Sequence, residues 1–214
     1  MSDFYSATPQ LQDATAKAFD LRPDALGYYE FGLFKGYNLW AAEQYSRAVA
    51  PNCRLYGFDS FEGIPANNSG QWVQGEFACS IEGVAANLAD HGGDAYRISL
   101  IKGWFADEHF ANVVRYWSLS PADVVVVDCD LYESAVPVLK FVGPSMRKGT
   151  VVLFDDWKAY NNSPNHGEQL AWAEFLADNP HINVDMLWDF GQFGRAFQVQ
   201  EHNSDSSNSD SPRR

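Results

Sequence analysis

Two short runs, Val124 to Val127 and Val151 to Phe154, are apolar on every side chain and rich in β-branched residues. Strict alternation would mark a strand with one wet face; a run apolar throughout marks a strand covered on both faces. That demand confines the chain to a parallel sheet with helices packed on each side. Each run also ends in acids: Asp128-Cys129-Asp130-Leu131-Tyr132-Glu133-Ser134 after the first and Asp155-Asp156 after the second. In a doubly wound sheet the C-terminal ends of neighbouring strands face the ligand crevice. At least Asp128, Asp155 and Asp156 would then meet at one place. Crowded carboxylates must share protons or surround a cation.

The rest of the chain supplies the other elements. A helix is expected over 9–20 and a first strand over Tyr28 to Gly32, followed by a glycine-containing turn and a helix from Leu39 to Ala48. Arg54 to Asp59 reads as the second strand and Tyr96 to Lys102 as the third, with helices over 81–89 and 107–115. Ser134 to Val142 is a helix, Thr150 to Phe154 the fifth strand, and 167–177 a helix with Leu170, Ala173, Glu174 and Ala177 on related faces. Val184 to Trp188 and Ala196 to Val199 are joined by Gly191-Gln192-Phe193-Gly194, too short a link for a crossover helix, so they pair antiparallel.

Strands alternating with helices predict an α/β three-layer sandwich, its sheet doubly wound and mostly parallel. Residues 1–201 form a single domain, with an N-terminal helix or lid over 1–22 and a mobile loop over 62–79. Residues 202–214 are a polar low-complexity tail, expected to be disordered.

Charge and cysteine usage narrow the function. A formal charge of −13 argues against gripping nucleic acid through its phosphates and against an anionic membrane surface. No apolar run is long enough to span a bilayer. The odd count of 3 cysteines, none at metal-ligand spacing, points to reduced thiols in the cytoplasm.

At the first turn, Glu30-Phe31-Gly32-Leu33-Phe34-Lys35-Gly36 would let a ligand approach the backbone at Gly32 and the chain turn into its helix at Gly36, although by itself the motif reads as an ordinary βα turn. Asp59 closes the second strand, where an acid either accepts hydrogen bonds from ribose hydroxyls or serves as a helix N-cap or solvated loop acid. Asp128, Asp155 and Asp156 offer the hard oxygens that Mg²⁺ takes. Asp130 and Glu133 read instead as helix-start residues, one as cap and one in the first turn. Trp104, in Ile101-Lys102-Gly103-Trp104-Phe105, stands either against a nucleobase or in the core.

These motifs, together with Tyr56-Gly57-Phe58-Asp59-Ser60-Phe61-Glu62-Gly63, stand in the order seen in one family. From about residue 28 to 176 the chain resembles the macrocin and novobiocin (TylF-like) O-methyltransferases, class I enzymes that use S-adenosylmethionine and Mg²⁺. The resemblance implies a seven-stranded sheet with an antiparallel last strand. It implies that Glu30, Gly32 and Gly36 shape the methionine side of the cofactor, with Lys35 and Asn38 of the same turn also at its site. Asp59 would hold the ribose, and Ser60, Phe61, Gly103 and Trp104 would frame the adenosine. Asp128, Asp155 and Asp156 would bind Mg²⁺, with Asp128 also the base that deprotonates the acceptor hydroxyl. The family's Gly-Gly-Ser is here Gly36-Tyr37-Asn38, so Asn38 does the serine's work or the cofactor sits differently. Trp157 replaces a tyrosine after the aspartate pair, altering the acceptor wall.

The expectation is methyl transfer to a hydroxyl of a small molecule (a sugar, vicinal diol or phenol) in natural-product biosynthesis. No nucleic acid or membrane partner is expected, and a homo-oligomer is left open. The alternatives are a nucleotide-sugar or dinucleotide-dependent enzyme on the same sheet, against which the missing G-x-G-x-x-G speaks, and a non-catalytic S-adenosylmethionine-binding module.

Overall fold

A computed structural model describes residues 8–106, 110 and 119–202. Apart from Phe110, the expected helix over 107–115 lies outside the described residues, as do the tail from 203 and residues 1–7. The chain runs α1 (Pro9–Leu21), β1 (Gly27–Phe31), α2 (Tyr37–Val49), β2 (Arg54–Asp59), α3 (Ile81–Asp90), β3 (Ile98–Lys102) and β4 (Ala122–Val127). It continues α4 (Tyr132–Val142), β5 (Met146–Phe154), α5 (Gly167–Asp178), β6 (Ile182–Phe190) and β7 (Gly194–His202). β7 thus takes in His202, which sequence reading assigned to the tail.

The 7 strands form one sheet in the order β3-β2-β1-β4-β5-β7-β6. Pairing is parallel from β3 through β5, and β7 runs antiparallel to both of its neighbours. Every residue of β1 and β4 is buried. The strand period of two divides their side chains between two cores. Tyr29, Phe31, Val125, Val127, Val152 and Phe154 face α4 and α5, where Val138, Leu139, Trp172 and Phe175 cover them. Tyr28, Val124, Val126, Val151 and Leu153 face α1 and α2, under Phe19, Leu39 and their neighbours. α1 buries Leu11, Ala14, Thr15, Ala18 and Phe19, the spacing of one helical face.

In α5 the buried residues are Gly167, Glu168, Ala171, Trp172 and Phe175. Ala173, Glu174 and Ala177 are exposed, contrary to the expected face. Trp172 and Phe175 stack on each other and fill the layer over β5, and that packing overrides a face drawn from small residues. All three cysteines are free. No helix of the described residues is long and apolar enough to cross a membrane.

β1 and β4 are neighbours, and from them the strand order runs out in opposite directions. That reversal is where an open α/β sheet presents a crevice.

Candidate active site

Strand pairing continues one residue beyond each strand end and lines up the site. The amide of Gly32 donates to Phe58 O (3.0 Å), that of Asp128 to Phe31 O (2.9 Å), that of Asp155 to Val127 O (3.1 Å) and that of Gly103 to Asp59 O (2.9 Å). Gly32, Asp59, Gly103, Asp128 and Asp155 therefore stand along one edge of the sheet. A cavity of about 540 Å³ opens there. Glu30, Gly32, Asn38, Asp59, Ser60, Gly103, Trp104, Asp128, Asp155 and Asp156 all line it.

Gly32 has φ +92°, and a β-carbon there would lie 1.7 Å from Asp128 O. Its first duty is thus to let two strand ends cross closely, a reason distinct from ligand approach. Asp59 bridges two turns: Oδ2 accepts from Leu33 N (2.7 Å) and Oδ1 from Phe61 N (2.6 Å). Burial pushes its carboxyl up, and these amides pull it back.

Glu30 is fully buried beside α2. The Tyr28 hydroxyl donates to its Oε2, as does Asn38 Nδ2 (3.1 Å), while Asn38 Oδ1 accepts from Thr15 Oγ1 (3.1 Å). Burial raises the Glu30 carboxyl to about 8 despite those donors. Asn38, in the family's serine position, is therefore bound into a network that orients Glu30.

Three expected cofactor residues do not line the cavity. Lys35 is exposed, its amine 5.1 Å from the Phe34 ring centre. Gly36 caps α2 in a left-handed conformation, and Phe61 packs into the core with only its backbone engaging Asp59. Trp157 does not line the cavity either. Its ring lies in the core against Phe154 and Phe197, with centroids 5.2 and 4.7 Å away.

The acid cluster is larger than expected. Leu131, not Asp130, is the residue at the start of α4, and it makes no side-chain cap. Asp130 sits at φ 63°, and it lines the cavity together with Asp156. A tight turn after Cys129 rotates Asp130 inward, and the Tyr160 hydroxyl donates to its carbonyl (3.2 Å). Glu133 does lie in the first turn of α4, and it too lines the cavity.

Burial, then the neighbouring charges of Asp155 and Asp156, drives Asp128 far up. Burial and Asp156 raise Asp155 to about 7, and burial raises Asp130 to about 6. Burial and Asp130 push Asp156 well up.

Among the described residues no Lys, Arg or His pairs with any of these four acids. Crowded carboxylates without a protein cation are the donor chemistry a hard divalent ion satisfies. The donor types fit Mg²⁺. Among the described residues no three such side chains are already drawn into a closed ligand set.

Several cavity residues carried no local signal. Thr8 and Leu11 come from the start of α1, Trp72 and Phe77 from the 62–79 segment. That segment has no helix or strand, but backbone bonds from Ile64 N to Glu76 O and from Gly75 N to Ile64 O (both 2.9 Å) tie its two arms together. Phe77 meets Phe34 edge-on at 5.5 Å. The aromatic content of 62–79 was the available clue.

A seven-stranded sheet of this order with only β7 reversed, and a cavity at its switch point, defines the class I, Rossmann-like methyltransferase fold. The sequence profile of the family described as Macrocin-O-methyltransferase (TylF) matches residues 28–188. The chain belongs to that family, and with it to the S-adenosylmethionine-dependent O-methyltransferases. This sets aside the nucleotide-sugar and dinucleotide alternative.

Solved structures agree in fold. The O-methyltransferase NovP superimposes with TM-score 0.73 at 19% identity over 89% of this chain and 79% of its own. CalS11, a calicheamicin methyltransferase, gives 0.68 at 23% over 87% and 77%. MycE from the mycinamycin pathway, in complex with Mg, SAH and mycinamycin VI, gives 0.52 at 17% over 90% and 49%. No curated protein sequence matches the chain significantly.

Proposed function

We propose that the protein is a Mg²⁺-dependent enzyme moving a methyl group from S-adenosylmethionine to a hydroxyl of a small natural-product acceptor, such as a sugar, vicinal diol or phenol. The observation that carries the metal dependence is the gathering of half-buried Asp128 and Asp155 and buried Asp156 around the cavity without a protein cation. The presence of Mg in the MycE complex supports the same reading.

Glu30 and Asn38 would orient the methionine end of the cofactor, beside the turn at Gly32. Asp59, already fixed by two amides, keeps carboxylate lone pairs for ribose hydroxyls. Ser60, Gly103 and Trp104 would flank the adenosine. Asp128, Asp155 and Asp156 would hold Mg²⁺, which supplies positive charge that attracts the acceptor hydroxyl and lowers its pKa. Asp128, central in the cluster, would take the hydroxyl proton as the oxygen bonds to the methyl carbon and the sulfur–methyl bond breaks, S-adenosylhomocysteine leaving. Trp72 and Phe77 with Phe34 would cover the acceptor side and exclude water. The charge of −13 and the reduced cysteines fit a protein of the cytoplasm.

A panel of hydroxylated acceptors, incubated with S-adenosylmethionine with and without Mg²⁺ and read by mass spectrometry, tests this. Gain of one methyl group only with the metal is expected. Equal transfer in excess chelator would remove the metal from the account.

A further inference from the structure

Glu168, second residue of α5, is 1% exposed, although a helix-start acid ordinarily points into water. Its Oε2 accepts the backbone N–H of Asp156 at 3.1 Å. Its Oε1 is buried and has no hydrogen-bond partner. The two amides leaving β5 are therefore held from opposite sides: Asp155 N by Val127 O of the neighbouring strand, Asp156 N by Glu168 of the following helix.

That arrangement solves a geometric problem. Consecutive residues of an extended strand point to opposite faces of the sheet. Asp155 and Asp156 nevertheless both line the same cavity. The chain must turn between them, and the turn persists only if the freed Asp156 amide has a partner. We infer that Glu168 is a positioning residue that locks this turn, so that both aspartates present their carboxylates to one divalent cation. Outer residues that fix metal ligands typically govern affinity about 10–100-fold. This inference rests on the metal reading above.

Two substitutions separate reach from charge. Glu168→Gln keeps the side-chain length and an oxygen for the Asp156 amide but removes the charge. Glu168→Asp keeps the charge but falls one methylene short. Mn²⁺ affinity read by electron paramagnetic resonance, and S-adenosylmethionine affinity read by calorimetry, are the measurements. Glu168→Asp is expected to weaken Mn²⁺ at least about ten-fold, with cofactor affinity within about two-fold of the parent. Glu168→Gln is expected to hold Mn²⁺ within about three-fold.

The inference is overturned if Glu168→Asp binds Mn²⁺ like the parent, or if both variants lose Mn²⁺ equally. Parallel loss of Mn²⁺ and cofactor in Glu168→Asp overturns it as well, since that marks general damage. Failure of the parent protein itself to bind Mn²⁺ is a different result, which removes the metal reading.

Discussion

β4 carries an acid at each end of its apolar run, and the two are treated in opposite ways. Asp123, at the start, is completely buried and answered by cations: Arg22 Nη2 at 2.6 Å, Arg147 Nε at 2.6 Å, and the amide of Leu26 at 2.7 Å. Asp128, at the end, is half-buried at the cavity and meets Asp130, Asp155 and Asp156 instead. A fold organised for stability alone would treat both ends like the first. Carboxylates left to crowd at one end only, around a cavity, indicate where the molecule awaits a cation from outside.

The contrast is sharpest in activity. Asp128→Asn should lower methyl transfer about 10²–10⁴-fold, the usual worth of a positioned base, while Asp123→Asn leaves turnover per folded molecule nearly intact. Steady-state rates on purified variants check this.

Stability should move oppositely. Asp123→Ala removes the carboxylate shared by Arg22, Arg147 and the Leu26 amide, leaving the Arg22 guanidinium, whose side chain is 6% exposed, only the exposed Asp24, and should cost about 3 kcal/mol in urea unfolding. Asp128→Asn in chelator relieves like-charge crowding and should stabilise the chain by on the order of 1 kcal/mol. A loss of stability on Asp128→Asn would break the comparison.

A third expectation concerns Glu30, whose folded-state value of about 8 exceeds its ordinary 4.5. Below 4.5 both folded and unfolded chains hold the proton. Above it the unfolded chain releases it first, so this residue's contribution to stability falls as pH rises from about 4.5 to 8 and then levels off. At about 1.4 kcal/mol per pKa unit the fall reaches several kcal/mol. Glu30→Gln should flatten that part of the profile, and unfolding midpoints across the range read it.

The layered sheet was legible because its signals are local. Val124 to Val127 and Val151 to Phe154 announce covered strands, and Gly191 to Gly194 announces the reversed hairpin. Asp128, Asp155 and Asp156 were legible because an acid following an apolar strand has only one place to go. Asp130 was misread because a left-handed residue one step before a helix imitates a cap in sequence. Lys35 stands outside the cavity lining because membership of a motif does not say which way a long side chain turns. Glu168 was invisible: a first-turn acid looks solvated until α5 packs on β5. Trp157 went to the core because its ring fits between Phe154 and Phe197.

The most direct test of the claim that the end of β4 awaits a divalent cation is a calorimetric titration of Mn²⁺ into the protein and into Asp155→Ala and Asp156→Ala. The account predicts one ion bound per parent chain and none in either variant, with cofactor affinity largely retained. Parent protein that binds no ion, or variants that bind it undiminished, would contradict it.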